Sequence, residues 1–330
     1  MVLSPLRLGF LWTGLLLTVA ADPVIKPPKV VVEYGASASA ECLTNLTHLG
    51  MGWEAPLDPV DMTFDVSTLN WTAETVTEWN ISPFCYINVN AVDQRKKNLI
   101  VVVYKVPDKV TIGFTNPSES VIEGSKKVLQ CKIMNVAPAG NLSVKWYKGQ
   151  TLVNNSRFTD STTNPQNKTS NHVIYPSESD NGAEYRCEAQ LELGPEGPQP
   201  PPRVRSGALM MNVLFKPKFS SNEEIVKQTD DETILDCTAR GNPRPTYSWE
   251  PPAPSGTSDK AVLKLPPQTV GSYKCTAVNA QGSATKQFTI QPQSRSRTVF
   301  WAILGSGLAL VVLLIVGYVV NKKMNSNSVV

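Results

Sequence analysis

The sequence predicts an all-β protein in which three tandem β-sandwiches are followed by a single transmembrane α-helix. Three observations lead to this fold class. Six cysteines fall at intervals that suit one disulfide in each of three domains. Runs of β-branched residues separated by Gly, Pro and Asn indicate strands and turns. Apolar runs near both ends of the 330-residue chain indicate a secretory leader and a membrane anchor.

Residues 1–21 are typical of a secretory signal peptide. Arg7 supplies the positive charge, Leu8–Val19 the apolar stretch, and Val19–Ala21 a small-residue cleavage site. The apolar stretch is too short to span a membrane. The mature chain is therefore expected to begin near Asp22.

A second apolar run, Thr298–Val320, contains no charged residue. As a helix it would be about 34 Å long, enough for a hydrocarbon core of roughly 30 Å. Residues 294–297 would be a juxtamembrane segment and residues 321–330 a cytoplasmic tail, with Lys322 and Lys323 next to the membrane. Together with the cleaved leader, this predicts a single-pass type I protein of the plasma membrane whose N-terminal ectodomain is extracellular.

All six cysteines lie in the predicted ectodomain. An even count in a secreted chain implies disulfides, and the local sequence favours pairing in chain order, as Cys42–Cys85, Cys131–Cys187 and Cys237–Cys275. The predicted domains are residues 22–106, 107–215 and 216–293. Each has close to the roughly 100 residues of a disulfide-linked sandwich.

The middle domain carries the clearest pattern. Trp146 lies fifteen residues after Cys131, and Tyr185 lies two residues before Cys187. A tryptophan between paired cysteines, with a tyrosine just before the second one, is the pattern of an immunoglobulin-like sandwich. Trp249 and Tyr273 repeat it in the third domain, whereas Pro83 takes the tyrosine position in the first.

Two charged features allow more than one interpretation. Arg157 either pairs with Asp180 across one end of the second domain, or both charges are simply solvated. In the first domain, Arg95–Lys97 precede a predicted closing strand at residues 98–104. They are expected in a solvated hairpin loop, with a minor role in steering an acidic partner as the alternative.

Glu54 is the leading candidate for a binding residue. Trp53 stands where such a sandwich places its buried tryptophan, and neighbouring strand residues point to opposite faces. Glu54 should therefore point outward, and Pro56 and Pro59 should end the strand because proline cannot donate to a ladder. A carboxylate held in this way suits a metal ion carried by another protein. The alternative is an ordinary exposed glutamate.

Six Asn-x-Ser/Thr sequons occur, and all lie in the first two domains. If glycosylated, they would shield the outer domains and leave one bare face that includes Glu54. The alternative is that they only mark exposed loops. The sequons are at Asn45, Asn70, Asn80, Asn141, Asn154 and Asn167, and Pro83 makes Asn80 the weakest candidate.

The residues give no support for catalysis. The only histidines, His48 and His172, are expected in different domains, and no nucleophile–base arrangement, metal-ligand cluster or phosphate-binding glycine loop is present in the sequence. The sequence therefore predicts a protein that is not an enzyme and holds no cofactor or metal of its own. A net charge of +3 is too small to indicate nucleic-acid binding.

The whole arrangement resembles the intercellular adhesion molecule family, the immunoglobulin-superfamily ligands of leukocyte integrins. Gly52–Leu57 is similar to the family's acidic integrin-binding motif, and Cys187–Pro195 with Phe215–Pro217 is similar to the end of its second domain. The resemblance implies that Glu54 ligates the Mg²⁺ of a beta-2 integrin's inserted domain. Trp53, Pro56 and Leu57 would accompany it in the binding site.

The chain departs from the family pattern in one respect. Family first domains usually carry a second disulfide, formed by cysteines four residues after each core cysteine. Leu46 and Val89 occupy those positions. A hydrophobic contact would have to replace the bond at this end of the domain, near Glu54.

Other partners remain open from the sequence. The chain would act without metal if it were an immunoglobulin-receptor ligand, a homophilic adhesion protein or an anchored spacer. Small residues in the predicted span suit a homodimer, and the last three residues, Ser328–Val330, suit a PDZ groove. The small residues are Ala302, Gly305, Ser306 and Ala309.

Overall fold

The computed structural model describes residues 22–251, 260–292 and 311–322. The predicted leader, the juxtamembrane segment, the first part of the predicted span with its four small residues, and Ser328–Val330 lie outside the described residues. Residues 311–322 are helical. Within the described ranges, no helix is both long enough and apolar enough to cross a membrane.

The chain divides into two compact units, Met1–Val213 and Leu214–Val330. The described residues form three separate buried clusters, each built around one disulfide. The bonded pairs are Cys42–Cys85, Cys131–Cys187 and Cys237–Cys275, the same three pairs that chain order predicts. The described sandwiches are made of strands, so the all-β prediction is confirmed.

The first sandwich packs two sheets on each other. One sheet has the order β1-β3-β6 and the other β5-β4-β7-β8, while β2 runs parallel to β9. Thr68–Ala73 is an example of why these segments form strands. Its residues alternate between more buried and exposed positions, as the two faces of a strand require. The strands are β1 (Val24–Lys26), β2 (Lys29–Glu33), β3 (Ala38–Leu43), β4 (Gly50–Glu54), β5 (Val60–Thr63), β6 (Thr68–Ala73), β7 (Phe84–Asn88), β8 (Gln94–Asn98) and β9 (Ile100–Tyr104).

The second sandwich has sheets of order β10-β12-β15 and β14-β13-β16-β17, and β18 also pairs with β16. Short 3₁₀ helices lie at Ala139–Asn141 and Glu178–Asp180. The strands are β10 (Lys109–Phe114), β11 (Val121–Ile122), β12 (Lys127–Val136), β13 (Leu142–Lys148), β14 (Thr151–Arg157), β15 (Gln166–Ile174), β16 (Glu184–Leu191), β17 (Arg203–Arg205) and β18 (Leu209–Met210).

The second unit contains a third, smaller sandwich. Its larger sheet has the order β20-β26-β25-β23, and β21 pairs with β24. The Trp249 ring lies 5.5 Å from the Phe288 ring in its core. The strands are β19 (Val213–Lys218), β20 (Glu223–Lys227), β21 (Thr233–Asp236), β22 (Arg240–Asn242), β23 (Thr246–Glu250), β24 (Val262–Leu265), β25 (Gly271–Asn279) and β26 (Gly282–Gln291).

Asp180 forms an ion pair with Lys148 and not with Arg157. Lys148 Nζ lies 2.5 Å from Asp180 Oδ1, and the Tyr185 hydroxyl donates to the same oxygen at 3.0 Å. Lys148 ends β13, which lies beside β16 in the sheet, and Lys148 is directly opposite Tyr185. Arg157 lies on β14, on the far side of β13 from β16. The suggested Arg157–Asp180 pair is therefore wrong, and Lys148 takes that role.

The placement of Arg95–Lys97 in a loop is also wrong. These residues lie within β8, which pairs with β7 from Phe84↔Asn98 to Asn88↔Gln94. The predicted closing strand is interrupted at Leu99 and resumes as β9. An edge strand tolerates charges along its length, which is why a basic run that resembles a loop forms part of a sheet here.

The first two sandwiches pack against each other within one unit. Val31, Val102 and Val106 contact the core of the second sandwich, and Lys29 Nζ lies 3.2 Å from Glu196 Oε2. The junction after residue 106 is therefore held by apolar packing and an ion pair between the two sandwiches.

Candidate functional site

Trp53 fixes the orientation of the strand that carries Glu54. It lies opposite Cys85 in the β4–β7 pair and is 1% exposed. Its indole Nε1 donates to the Leu69 carbonyl at 3.0 Å, on the opposing sheet. A large buried ring with its one donor satisfied holds a strand in a single register. Because Trp53 points inward, the next side chain must point outward.

Glu54 is the last residue of β4 and lies opposite Phe84. Its side chain is exposed, and no hydrogen bond or ion pair to it is found among the described residues. The carboxylate therefore lies at a strand end with its oxygens directed to solvent.

The segment after Glu54 is held to the core. Leu57 is half-buried and packs against the first cluster, and its carbonyl accepts a 3.1 Å hydrogen bond from the Trp71 indole. Asp58 then adopts a positive φ of 52° just before Pro59, which turns the chain into β5. Pro56 is exposed between these anchors. The predicted motif residues therefore have distinct positions, with Trp53 buried, Leu57 anchoring, and Glu54 and Pro56 accessible.

Tyr86 is a neighbour that sequence reasoning missed. It pairs with Gly52 across β4 and β7, and a Cβ at position 52 would collide with the tyrosine ring. Glycine at this position therefore lets the ring lie flat over β4, close to Glu54. The Gly-x-Gly pattern on the outward side of β4 was the available signal, since small residues on one strand face leave room for a large neighbour.

The surroundings of Tyr86 favour the neutral form of its phenol. Burial raises the pKa of Tyr86, and the negative charges of Glu54 and Asp61 raise it further. The phenol is therefore neutral at physiological pH, and its hydroxyl is available as a donor.

Phe84 and Lys96 extend the same face. Lys96 lies opposite Tyr86 on β8, and its ammonium lies 5.4 Å from the centre of the Phe84 ring, in cation–π geometry. The outward face of the β5-β4-β7-β8 sheet thus brings the Glu54 carboxylate together with two aromatic rings and the Lys96 ammonium group. We call these residues, Glu54, Phe84, Tyr86 and Lys96, the acidic–aromatic face.

Leu46 and Val89 occupy the positions at which the family usually has its second disulfide. Leu46 and Val89 both pack against the first core cluster. Each is also held through its backbone, Leu46 N by Thr44 Oγ1 at 3.1 Å and Val89 N by the Asp93 carbonyl at 2.8 Å. Both positions are thus held by half-buried apolar side chains and by backbone hydrogen bonds.

The sequons differ in accessibility. Asn141 and Asn154 are half-buried, and the strands of the β5-β4-β7-β8 sheet contain no sequon. The exposed sequon asparagines are Asn45, Asn70, Asn80 and Asn167. In the part of the chain that the structure describes, no group of acidic, histidine or cysteine side chains could hold a metal ion.

The comparisons with known proteins agree with the immunoglobulin-type fold. Residues 117–198 match the family model "Immunoglobulin domain". The chain is 24% identical to human vascular cell adhesion protein 1 over 204 residues, which is 58% of this chain and 27% of that protein. It is 34% identical to rabbit intercellular adhesion molecule 5 over 120 residues, 34% of this chain and 12% of that protein.

Chimpanzee intercellular adhesion molecule 1 is 25% identical over 182 residues, 54% of this chain and 32% of that protein. The crystal structure of the first four domains of intercellular adhesion molecule 5 aligns with a TM-score of 0.47 at 16% identity, covering 82% of this chain and 76% of that one. The chain spans about a third or less of the length of these curated relatives. The matched region has the sequence of an immunoglobulin domain, and the chain is similar to the intercellular and vascular adhesion molecules.

Proposed function

We propose that this chain is a cell-surface adhesion molecule of the plasma membrane that presents Glu54 to the divalent metal ion of a leukocyte beta-2 integrin. Anchoring would use the apolar run at residues 298–320, with the three sandwiches outside the cell. The observation that carries the proposal is the exposed, unpaired Glu54 carboxylate at the end of a strand fixed by Trp53.

The chemistry of the carboxylate fits a metal ion held by the partner. Mg²⁺ is a hard cation that takes oxygen ligands, and Glu54 offers two oxygens that no described residue engages. The chain would supply one oxygen ligand and would hold no ion itself. Because Trp53 and the β4–β7 ladder already hold β4 in one register, little conformational entropy would be lost on contact.

The residues around Glu54 suit a protein interface. Phe84 and Tyr86 present aromatic surface beside the carboxylate, and aromatic residues dominate interface energetics. The neutral Tyr86 hydroxyl can donate to an acceptor on the partner. Lys96 adds a positive charge that suits an acidic rim on that partner.

The distribution of sequons supports access to this face. Glycans are bulky and exclude partners, but no strand of the β5-β4-β7-β8 sheet contains a sequon. An approaching protein would therefore meet the acidic–aromatic face without a sugar attached to the sheet itself.

The test is adhesion of integrin-bearing cells to cells displaying the full-length chain, in Mg²⁺ and in EDTA. Glu54→Gln keeps the side-chain shape and removes the charge. We expect a loss of at least ~2 kcal/mol, typical of a hot-spot residue, or roughly 30-fold in affinity. Glu74→Gln is the matched control, because Glu74 is exposed just after β6 in the opposite sheet.

Surface expression of each variant is measured with an antibody to the third domain. Mg²⁺-dependent adhesion that is unchanged in Glu54→Gln would contradict the role of this residue. Adhesion that persists in EDTA would instead favour a metal-independent contact with another immunoglobulin domain. Binding of the purified chain to an isolated beta-2 inserted domain, with and without Mg²⁺, tests the integrin class directly.

A further inference from the structure

A cleft of about 220 Å³ lies between the first and second sandwiches within the first unit. Trp79 and Val101–Val103 line it from the first sandwich, and Pro138, Gly140 and residues 160–163 line it from the second. It is smaller than a pocket for a drug-sized ligand but has room for a single sugar ring. The acidic–aromatic face is not part of it.

The cleft has an ordered apolar wall. The Trp79 ring stacks on Tyr34 with centroids 4.2 Å apart and planes 14° apart, and Trp79 also packs against the first core. Val102 beside it contacts the core of the second sandwich. An aromatic ring fixed between two packed elements offers the flat apolar surface on which the C–H face of a pyranose can lie.

The opposite wall is polar and also ordered. Asp160 Oδ1 accepts hydrogen bonds from the backbone nitrogen and hydroxyl of Thr162, at 2.8 and 2.5 Å, and Asp160 Oδ2 pairs with Lys168. A Cβ at Gly140 would collide with the Asp160 carbonyl, so glycine allows this loop to approach closely. Hydroxyl groups of residues 161–163 thus line a preformed surface that can bind sugar hydroxyl and acetamido groups.

The chain has a sequon asparagine at this cleft. Asn80 lines it, is exposed, and begins the sequon Asn80-Ile81-Ser82. Asn141, a second sequon asparagine, also lines it. However, Asn141 Nδ2 donates to the Glu192 carbonyl at 2.7 Å, and Ser143, which completes that sequon, is 1% exposed. Of these two asparagines, Asn80 is the better carrier because it is exposed, even though Pro83 makes its sequon the weakest of the six by sequence.

We infer that the first N-acetylglucosamine of a glycan on Asn80 occupies this cleft and fixes the first two sandwiches to each other. Asn80 Nδ2 loses a proton and bonds to the anomeric carbon, and the pyrophosphate of a lipid-linked oligosaccharide donor leaves. The sugar packs its apolar face on Trp79 and its polar groups on residues 161–163. The glycan thus acts as an interdomain spacer rather than only as a shield.

The first experiment measures enzymatic release of glycans from the full-length chain. Peptide-N-glycosidase is applied to the native protein, and release at each site is followed by mass spectrometry as conversion of Asn to Asp. We expect release at Asn80 to be at least ten-fold slower than at the exposed, mid-strand Asn70, with equal rates after denaturation and reduction. Equal native rates, an unmodified Asn80, or resistance confined to Asn141 would each overturn the proposal.

The second experiment removes the glycan without altering the cleft wall. Ser82→Ala abolishes the Asn80 sequon, and Thr72→Ala abolishes the Asn70 sequon as the control; both substituted residues are exposed. Hydrogen exchange of residues 101–103 and 160–163 should become at least five-fold faster in Ser82→Ala and stay unchanged in Thr72→Ala. An unchanged exchange rate in Ser82→Ala would show that no sugar fills the cleft.

Discussion

Asp180 is predicted to be a major stabilising charge of the second sandwich. It is 6% exposed and accepts hydrogen bonds from Lys148, from the Tyr185 hydroxyl, and from the backbone nitrogen and hydroxyl of Ser177. An asparagine at this position offers one acceptor oxygen in place of two and carries no charge to form an ion pair with the Lys148 ammonium group. Asp180→Asn should therefore leave buried donors without a partner and destabilise the domain.

The size of the effect follows from the pKa of Asp180. Burial alone would raise this pKa, but the hydrogen bonds from Lys148, Ser177 and Tyr185 outweigh burial and lower it to about 2, from an ordinary value of 3.8. Each pKa unit corresponds to about 1.4 kcal/mol. The charged form thus contributes about 2 kcal/mol, with some loss because Lys148 is about one-third exposed and solvent screens its bond.

The pH dependence of this contribution has a definite sign. Because the pKa of Asp180 is lower in the folded state than in the unfolded state, the stabilisation is fully present above pH ~4 and is lost as the pH falls towards 2. Hydrogen exchange of β13 and β16 in increasing urea reports the free energy of unfolding of this sandwich alone. We expect Asp180→Asn to lower it by about 2 kcal/mol at pH 7 and to flatten its slope between pH 4 and 2.

The matched control is Glu184→Gln. Glu184 pairs with Arg186 at 2.8 Å on the same strand, but both side chains are more than 40% exposed. An exposed pair contributes less than about 1 kcal/mol, so this variant should change little. If Asp180→Asn lost less than ~0.5 kcal/mol, or kept the acid slope of the unmodified chain, the assignment of Asp180 as a stabilising charge would be refuted.

Two further predictions concern other sites. Gly52→Ala should push Tyr86 off β4, reduce integrin-dependent adhesion at least ~10-fold, and lower the stability of the domain by an overpacking cost of about 1–3 kcal/mol. Gly113→Ala is the control: it has open space around it and should change neither adhesion nor stability in the same assays. Burial lowers the pKa of His172, so second-sandwich stability should fall as the pH drops below about 6.5. The cause is that burial disfavours the charged imidazolium. His172→Gln should remove this slope in urea-dependent hydrogen exchange, and an unchanged slope would exclude His172 as its source.

The features set by short sequence patterns could be predicted. The tryptophan of each sandwich is buried, and the outward position of Glu54 follows from the two-residue period of a strand and the inward Trp53. Such features depend on side chains a few residues apart along one strand. They need no knowledge of which strands become neighbours.

The features missed from the sequence all depend on neighbours distant in the chain. Lys148 reaches Asp180 because β13 lies beside β16, and no spacing rule singles out Lys148 over Arg157. The acidic–aromatic face combines residues of β4, β7 and β8. Arg95–Lys97 could not be told from a loop because an edge strand can carry charges on both faces.

The rigid segment around Glu54 would link the stability of this domain to its binding. A metal ligand on a mobile loop must be ordered on contact, which costs binding free energy. Here the chain is held on both sides of the exposed residues. The Trp53 indole donates to the Leu69 carbonyl, and the Trp71 indole donates to the Leu57 carbonyl. Loss of either indole bond should therefore weaken metal-dependent adhesion without touching the carboxylate, because Glu54 would no longer be held in one direction.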